Sequence, residues 1–388
     1  MHPSMIPGLD GLRGIAFLLV YGLHTDYVQV GWVGVQFFFV LSGFLITGIL
    51  LDMKKFLPPR DYFVKFYGRR FLRIFPLYYF YLLLMAGVAT WLISIAYRPG
   101  AMKVFLEQAR YAALYVYDFF FATSFGNNSS FLDHFWSLSV EEQFYIFWPL
   151  LILLVPEKAL KKLSIGFIVL GPLFRLIFLF IYRSGEFSFL ARSAEWFIYP
   201  LPFSHIDAFA FGALISRYPF PNAKKQFFIL LGILPVVGYA TQYLATGEIG
   251  AISAFGFPMF LGDAYKYIWG YSLLNYFFAV AICAVVKEQV FLRFLDWKPM
   301  QYLGKISYGL YVYHYPIIWF VGRIRDLEVP EATARVLTAL IAFPVTLLIS
   351  AASYHLMEKP ILDLKDRFFS LKRAEKQTTA VERRLNVS

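Results

Sequence analysis

The 388-residue chain is 59% hydrophobic, 20% aromatic and only 16% charged, with a formal net charge of +11. That composition excludes an ordinary soluble domain. Apolar runs of nearly twenty residues recur, each long enough to cross a bilayer core of about 30 Å as a helix. An all-α, polytopic transmembrane helical bundle is therefore predicted, and its positive charge belongs to loops and anionic lipid rather than to nucleic acid. The lone cysteine, Cys283, leaves no intrachain disulfide and no cysteine metal site.

About ten spans are expected in chain order, roughly 9–24, 32–53, 74–96, 138–155, 163–182, 197–215, 227–244, 268–286, 306–321 and 336–356. The first, "LDGLRGIAFLLVYGLH", is not followed by a small-residue cleavage site and reads as a span rather than a signal peptide. At about 1.5 Å and about 100° per residue, the step from Arg13 to His24 advances ~16 Å and returns within about 20° of one face. The second, "GWVGVQFFFVLSGFLITG", sets small residues where helices pack closely. The stretch "YAALYVYDFFFATSF" (111–125) is short for a span and is placed as an outer-surface or re-entrant helix. Lys and Arg gather in "MKKFLPPRDYFVKFYGRRFLR", "PEKALKKL", "RYPFPNAKK", "KEQVFLRFLDWK" and the tail from Lys359. This bias puts both termini in the cytoplasm and 97–133 outside. No internal repeat is visible. Residues 1–360 read as one membrane domain, and 361–388 as a basic cytoplasmic tail, lying along the inner leaflet or disordered.

Ionisable groups inside spans are rare and mark polar interiors. Arg13 and His24 share the stripe on the first span; Glu141 and Glu142 open the fourth. Arg175 lies in the fifth, Asp207 in the sixth and His314 in the ninth, with Arg69, Arg70 and Arg73 at the inner side of the third. Together they suggest a polar passage entered from the cytoplasm and ending near the outer face. Plainer roles stand beside that one. Arg13 can pair with Asp10, His24 can sit at the headgroups, and Glu141 and Glu142 can serve a helix N-terminus. The arginines can be positive-inside anchors, His314 can bond within the bundle, and Asp207 can be satisfied by Arg175.

Seven stretches considered together narrow these choices. "LDGLRGIAFLLVYGLH", "GVQFFFVLSGFLIT", "RRFLRIFPLYY", "FWSLSVEEQFYIFWP", "HIDAFAFGALI", "ISYGLYVYHYPI" and "SYHLMEKP" occur in the order and spacing of the acyltransferase-3 family. The resemblance covers Leu9 to Pro360. It implies an integral membrane enzyme that moves an acyl group, commonly acetyl from acetyl-CoA, onto a hydroxyl. The implied acceptor is a cell-surface glycan or its lipid-linked precursor, or in some members a small molecule such as a macrolide. The resemblance makes Arg13 and His24 the family's arginine–histidine pair, Arg70 and Arg73 its paired arginines, and Glu142 its motif glutamate, with Glu141 adjacent. Relatives often have an arginine before the aspartate of the sixth-span motif, whereas this chain reads His205-Ile206-Asp207, which leaves the role of His205 open. Some members add an extracytoplasmic esterase-like domain. Here only the basic tail follows Pro360, so the membrane site is expected to finish the transfer itself or to rely on a separate protein.

The chemistry expected from these residues is a base-assisted acyl transfer. A sugar hydroxyl needs a base as it attacks a thioester, and histidine suits that task. His24 is expected to be the base, with Glu142 its carboxylate partner. Arg70 and Arg73 are expected to hold CoA phosphates by bidentate contacts, and the donor arm would run past Arg13. Glu141, Arg175, Asp207 and His314 are further candidates for substrate contacts or the polar cavity. A covalent acyl-enzyme route stays open. No metal-ligand spacing, nucleotide-binding glycine loop or nucleic-acid module is present, so acyl-CoA, the acceptor and membrane lipids are the expected partners. A secondary transporter with intramembrane charges is the alternative class. A bacterial cytoplasmic membrane is the expected location.

Overall fold

The computed structural model describes residues 6–125, 129, 131–190, 193–259 and 266–371. Among them regular structure is helical, apart from an isolated antiparallel bridge between Thr123 and Leu190. The helices begin with α1 (Leu9–His24), α2 (Val33–Phe56), α3 (Pro59–Ser94), α4 (Pro99–Ala113), α5 (Tyr117–Phe121) and α6 (Phe135–Leu154). The middle of the chain forms α7 (Leu160–Ser184), α8 (Ala194–Ile198), α9 (Ile206–Ile215), α10 (Ala223–Thr246) and α11 (Lys266–Glu288). It closes with α12 (Leu292–Leu295), α13 (Lys298–Lys305), α14 (Ser307–Val321), α15 (Glu331–Ser353) and α16 (Lys359–Phe368).

Seven helical stretches, built on α2, α3, α6, α7, α10, α11 and α15–α16, are long and apolar enough to cross a membrane. The other three expected spans are helical but short. α1 has 16 residues and α14 has 15, while 197–215 breaks into a 3₁₀ turn and the 10-residue α9. Every residue of α9 from Asp207 onward is buried. Apolar character here reflects burial in protein, which composition alone does not distinguish from burial in lipid. The long helices α10 and α15 carry exposed Val236, Leu244, Leu340 and Leu348, a lipid-facing surface. The protein is an integral membrane protein.

Close packing at the centre follows from the glycines of the second span. A Cβ on Gly43 would collide with the Phe209 carbonyl, and one on Gly212 with the Val40 carbonyl. Only paired glycines let α2 and α9 approach backbone to backbone.

The 111–125 stretch is not one helix. α4 ends at Ala113, Tyr115 adopts a left-handed φ of 54°, and α5 follows with five residues. The expected tail also begins differently. α16 lies along α3, with Arg69 bonded to Asp366 at 3.1 Å and Lys65 donating to the Ser370 carbonyl at 3.0 Å. Asp366 is paired with a residue of the bundle, so this segment is not a free strand of chain. The remainder of the expected tail, 372–388, lies outside the described residues.

Candidate functional site

Helices α1, α2, α3, α6, α13, α14 and α16 wall a cavity of about 1010 Å³, at the upper end of small-molecule clefts. Its cations come from α1 (Arg13), α2 (Lys55), α3 (Arg69, Arg70, Arg73), α13 (Lys298, Lys305) and α16 (Lys365). Their states differ. Arg13 bonds Asp10 at 2.6 Å, as the plainer reading had it, yet still faces the cavity. Arg69 is held by Asp366 and the Phe369 carbonyl. Arg70 lies 5.4 Å over the Tyr145 ring, and neither Arg70 nor Arg73 has a carboxylate partner among the described residues. Two guanidinium groups with open forks are suited to phosphate oxygens.

Acidic and hydroxylic groups adjoin these arginines. Glu141 accepts bonds from Ser42 and Tyr145, each at 2.5 Å. Glu142, beside it, is buried and its Oε1 has no partner among the described residues. Deeper along α6, Ser137 bonds the Tyr311 hydroxyl at 2.6 Å.

His24 does not meet Glu142, which corrects the expected pairing. Depth along two helices matched them, but α14 stands between with a closer partner. His24 Nδ1 lies 2.7 Å from His314 Nε2, and His314 Nδ1 lies 2.6 Å from the Tyr311 carbonyl. A carbonyl only accepts, so His314 Nδ1 carries its proton and, in the neutral ring, Nε2 accepts. His24 Nδ1 then donates, and His24 Nε2 is left with a free lone pair. This relay fixes the tautomer a general base needs. His24 and His314 are not cavity walls. Tyr311 joins the two regions, lining the cavity while its carbonyl anchors His314.

Three further residues surround this pair and were missed in the sequence. The Tyr315 ring meets His24 edge-on, with centroids 4.8 Å apart, and its hydroxyl donates to Asp133 at 3.3 Å. Burial lifts the Asp133 carboxyl to about 7. His134 donates from Nε2 to the Val312 carbonyl at 3.1 Å, leaving Nδ1 buried without a partner among the described residues. The signals were "LDHFWS" and "YHYP", where ionisable or hydroxyl groups adjoin residues already singled out.

Arg175 and Asp207 are not cavity groups. They form a fully buried bidentate pair at 3.1 and 3.0 Å, completed by the Ser204 carbonyl and Ser272. Each neutralises the other, which is why both tolerate the interior. His205 is likewise enclosed, bonded to the Tyr199 carbonyl and to Gln36. No cluster of three or more His, Cys, Asp or Glu arranged to hold a metal occurs among the described residues.

A profile of the acyltransferase domain family Acyl_transf_3 matches residues 6–355. The O-acetyltransferase OatA of Staphylococcus aureus is 28% identical over 377 residues, covering 92% of this chain and 57% of that protein. The putative peptidoglycan O-acetyltransferase YrhL of Bacillus subtilis is 28% identical over 401 residues, 95% of this chain and 57% of its own length. The peptidoglycan O-acetyltransferase OatA of Listeria monocytogenes is 27% identical over 380 residues, with 92% and 56% covered. The chain thus spans little more than half the length of these relatives. No solved structure gives a significant match.

Proposed function

The chain belongs to the acyltransferase-3 family, and from that premise we propose that it transfers an acetyl group from cytoplasmic acetyl-CoA to a hydroxyl of a cell-surface glycan. The observation that carries this reading is the His24–His314–Tyr311 relay, which leaves His24 Nε2 unprotonated and connects through Tyr311 to a cation-lined cavity. In the proposed reaction Arg70 and Arg73 hold the CoA phosphates, and the thioester extends past Tyr311 toward His24. The acceptor hydroxyl attacks the thioester carbonyl as its proton passes to His24 Nε2. The tetrahedral intermediate collapses, the carbon–sulfur bond breaks, and the CoA thiolate leaves with the proton that His24 took from the acceptor, which restores the base. Until then the imidazolium is supported by the His314 lone pair, itself polarised by the Tyr311 carbonyl.

The names of the relatives favour peptidoglycan as the acceptor to try first. The charge bias of the loops supports cytoplasmic termini in a bacterial cytoplasmic membrane, with donor entry from the inside. Purified protein given radiolabelled acetyl-CoA and peptidoglycan fragments should move label to the glycan, and His24→Ala protein should not. Uptake of acetyl-CoA into proteoliposomes without thioester consumption would point instead to a transporter.

A further inference from the structure

We infer that Glu142 recognises the arm of the thioester donor, its carboxyl accepting a hydrogen bond from an amide N–H of the pantetheine chain. This rests on the acyl-CoA reading above. Glu142 is only 8% exposed, lines the cavity, and has in Oε1 an acceptor with no partner among the described residues. A buried carboxylate oxygen without a donor is costly, and such groups call for an explanation. Glu141 next to it is satisfied twice by hydroxyls.

The missing donor is not the histidine relay. His24 Nδ1 and both nitrogens of His314 are engaged with each other and with Tyr311, and the remaining His24 nitrogen is itself an acceptor. A phosphate oxygen is an acceptor too and offers Oε1 no donor. Arg70 stands over the Tyr145 ring without bonding Glu142, so what complements Oε1 is an N–H of the ligand.

Position along α6 says which N–H. Ser137, bonded to Tyr311, marks the side of the relay, while Tyr145, under Arg70, marks the side of the open guanidinium groups. These two residues are separated by a rise of ~12 Å, and Glu142 lies between them. A CoA thioester stretched along this path places its phosphates at Arg70 and its reacting carbonyl toward Tyr311. Between those ends its hydrogen-bonding groups include two secondary amides. Each carries the N–H that Glu142 lacks.

The test separates arm from nucleotide. Binding of CoA and of adenosine 3′,5′-bisphosphate, which has the nucleotide phosphates without the arm, is measured calorimetrically on the full chain in detergent. Glu142→Ala should weaken CoA about tenfold or more and leave the bisphosphate within about twofold. Glu142→Gln, which keeps an acceptor oxygen, should lose less. Arg70→Ala should weaken both ligands. Unchanged CoA affinity in well-folded Glu142→Ala protein, or equal loss for both ligands, overturns the role given to Glu142. Failure of wild-type protein to bind either ligand overturns the acyl-CoA reading itself.

Discussion

Replacing His314 by leucine tests the relay where it differs from the carboxylate-assisted base expected from the sequence. The change removes the acceptor 2.7 Å from His24 Nδ1 and the donor 2.6 Å from the Tyr311 carbonyl. A buried N–H left without an acceptor costs about 1–3 kcal/mol. His24 can avoid that cost by moving its proton to Nε2, but it then ceases to be a base. Either way the reactive tautomer is disfavoured by a similar amount. At about 1.4 kcal/mol per factor of ten, kcat should fall roughly 5- to 150-fold. KM for acetyl-CoA should stay near the wild-type value, because His314 is not a cavity wall. His24→Ala should cost more, about 10²–10⁴-fold, and the double variant little beyond that, since the two rings act as a unit. Initial rates of label transfer over a range of acetyl-CoA concentrations give both constants. Wild-type kcat in His314→Leu protein, or losses that multiply in the double variant, would refute the relay.

The other expectations concern binding, stability and topology. Arg70→Ala and Arg73→Ala should each weaken donor binding about ten- to a hundredfold by removing a charge-assisted contact of roughly 1.5–3 kcal/mol, whereas exposed Asp61→Ala should change it little. Arg175→Met should leave Asp207 buried and unpaired and cost about 3–5 kcal/mol, read as a lower melting temperature in detergent; a neutral result would mean water reaches the pair. Burial raises Asp133 to about 7 in the folded chain, against ~3.9 unfolded. The folded state therefore holds that proton more tightly, a stabilisation complete below about pH 4 and lost as pH rises through about 7. Melting temperature should decline across that window, and Asp133→Asn should flatten the decline. With buried Cys283 replaced by serine, single cysteines at Lys103 and Lys161 should label from opposite sides of the membrane; labelling from one side would undo the topology.

Helix positions were legible because lipid and protein interiors both select apolar runs, and every expected span coincides with a helix. Which of those helices are long enough to cross was not legible in three cases. Hydropathy measures transfer out of water and is indifferent to whether lipid or protein receives the side chain. α9 shows the limit: it is among the most apolar stretches of the chain, yet it has 10 residues and no exposed face beyond Ile206. The small residues of the second span were the better guide there: Gly43 meets Phe209 of α9 backbone to backbone, as Gly212 meets Val40.

The site divides along the same line. Groups whose partners lie on the same helix, such as Arg13 with Asp10, could be read from a spacing of three. Groups paired across helices could be read only by depth. Depth is a weak coordinate, because several spans pass through each level and a level does not say which faces meet. It matched His24 to Glu142, whereas the fold sets His314 against His24 and leaves Glu142 facing the cavity. It grouped Arg175 and Asp207 with the cavity, whereas the plainer reading, Asp207 satisfied by Arg175, is the one the fold shows. Arg175 and Asp207 neutralise each other within the bundle, while Arg70, Arg73 and Glu142, none of them in an ion pair among the described residues, all face the same space. That residue of unmet charge and hydrogen bonding, more than the motif list, defines where a polar ligand belongs.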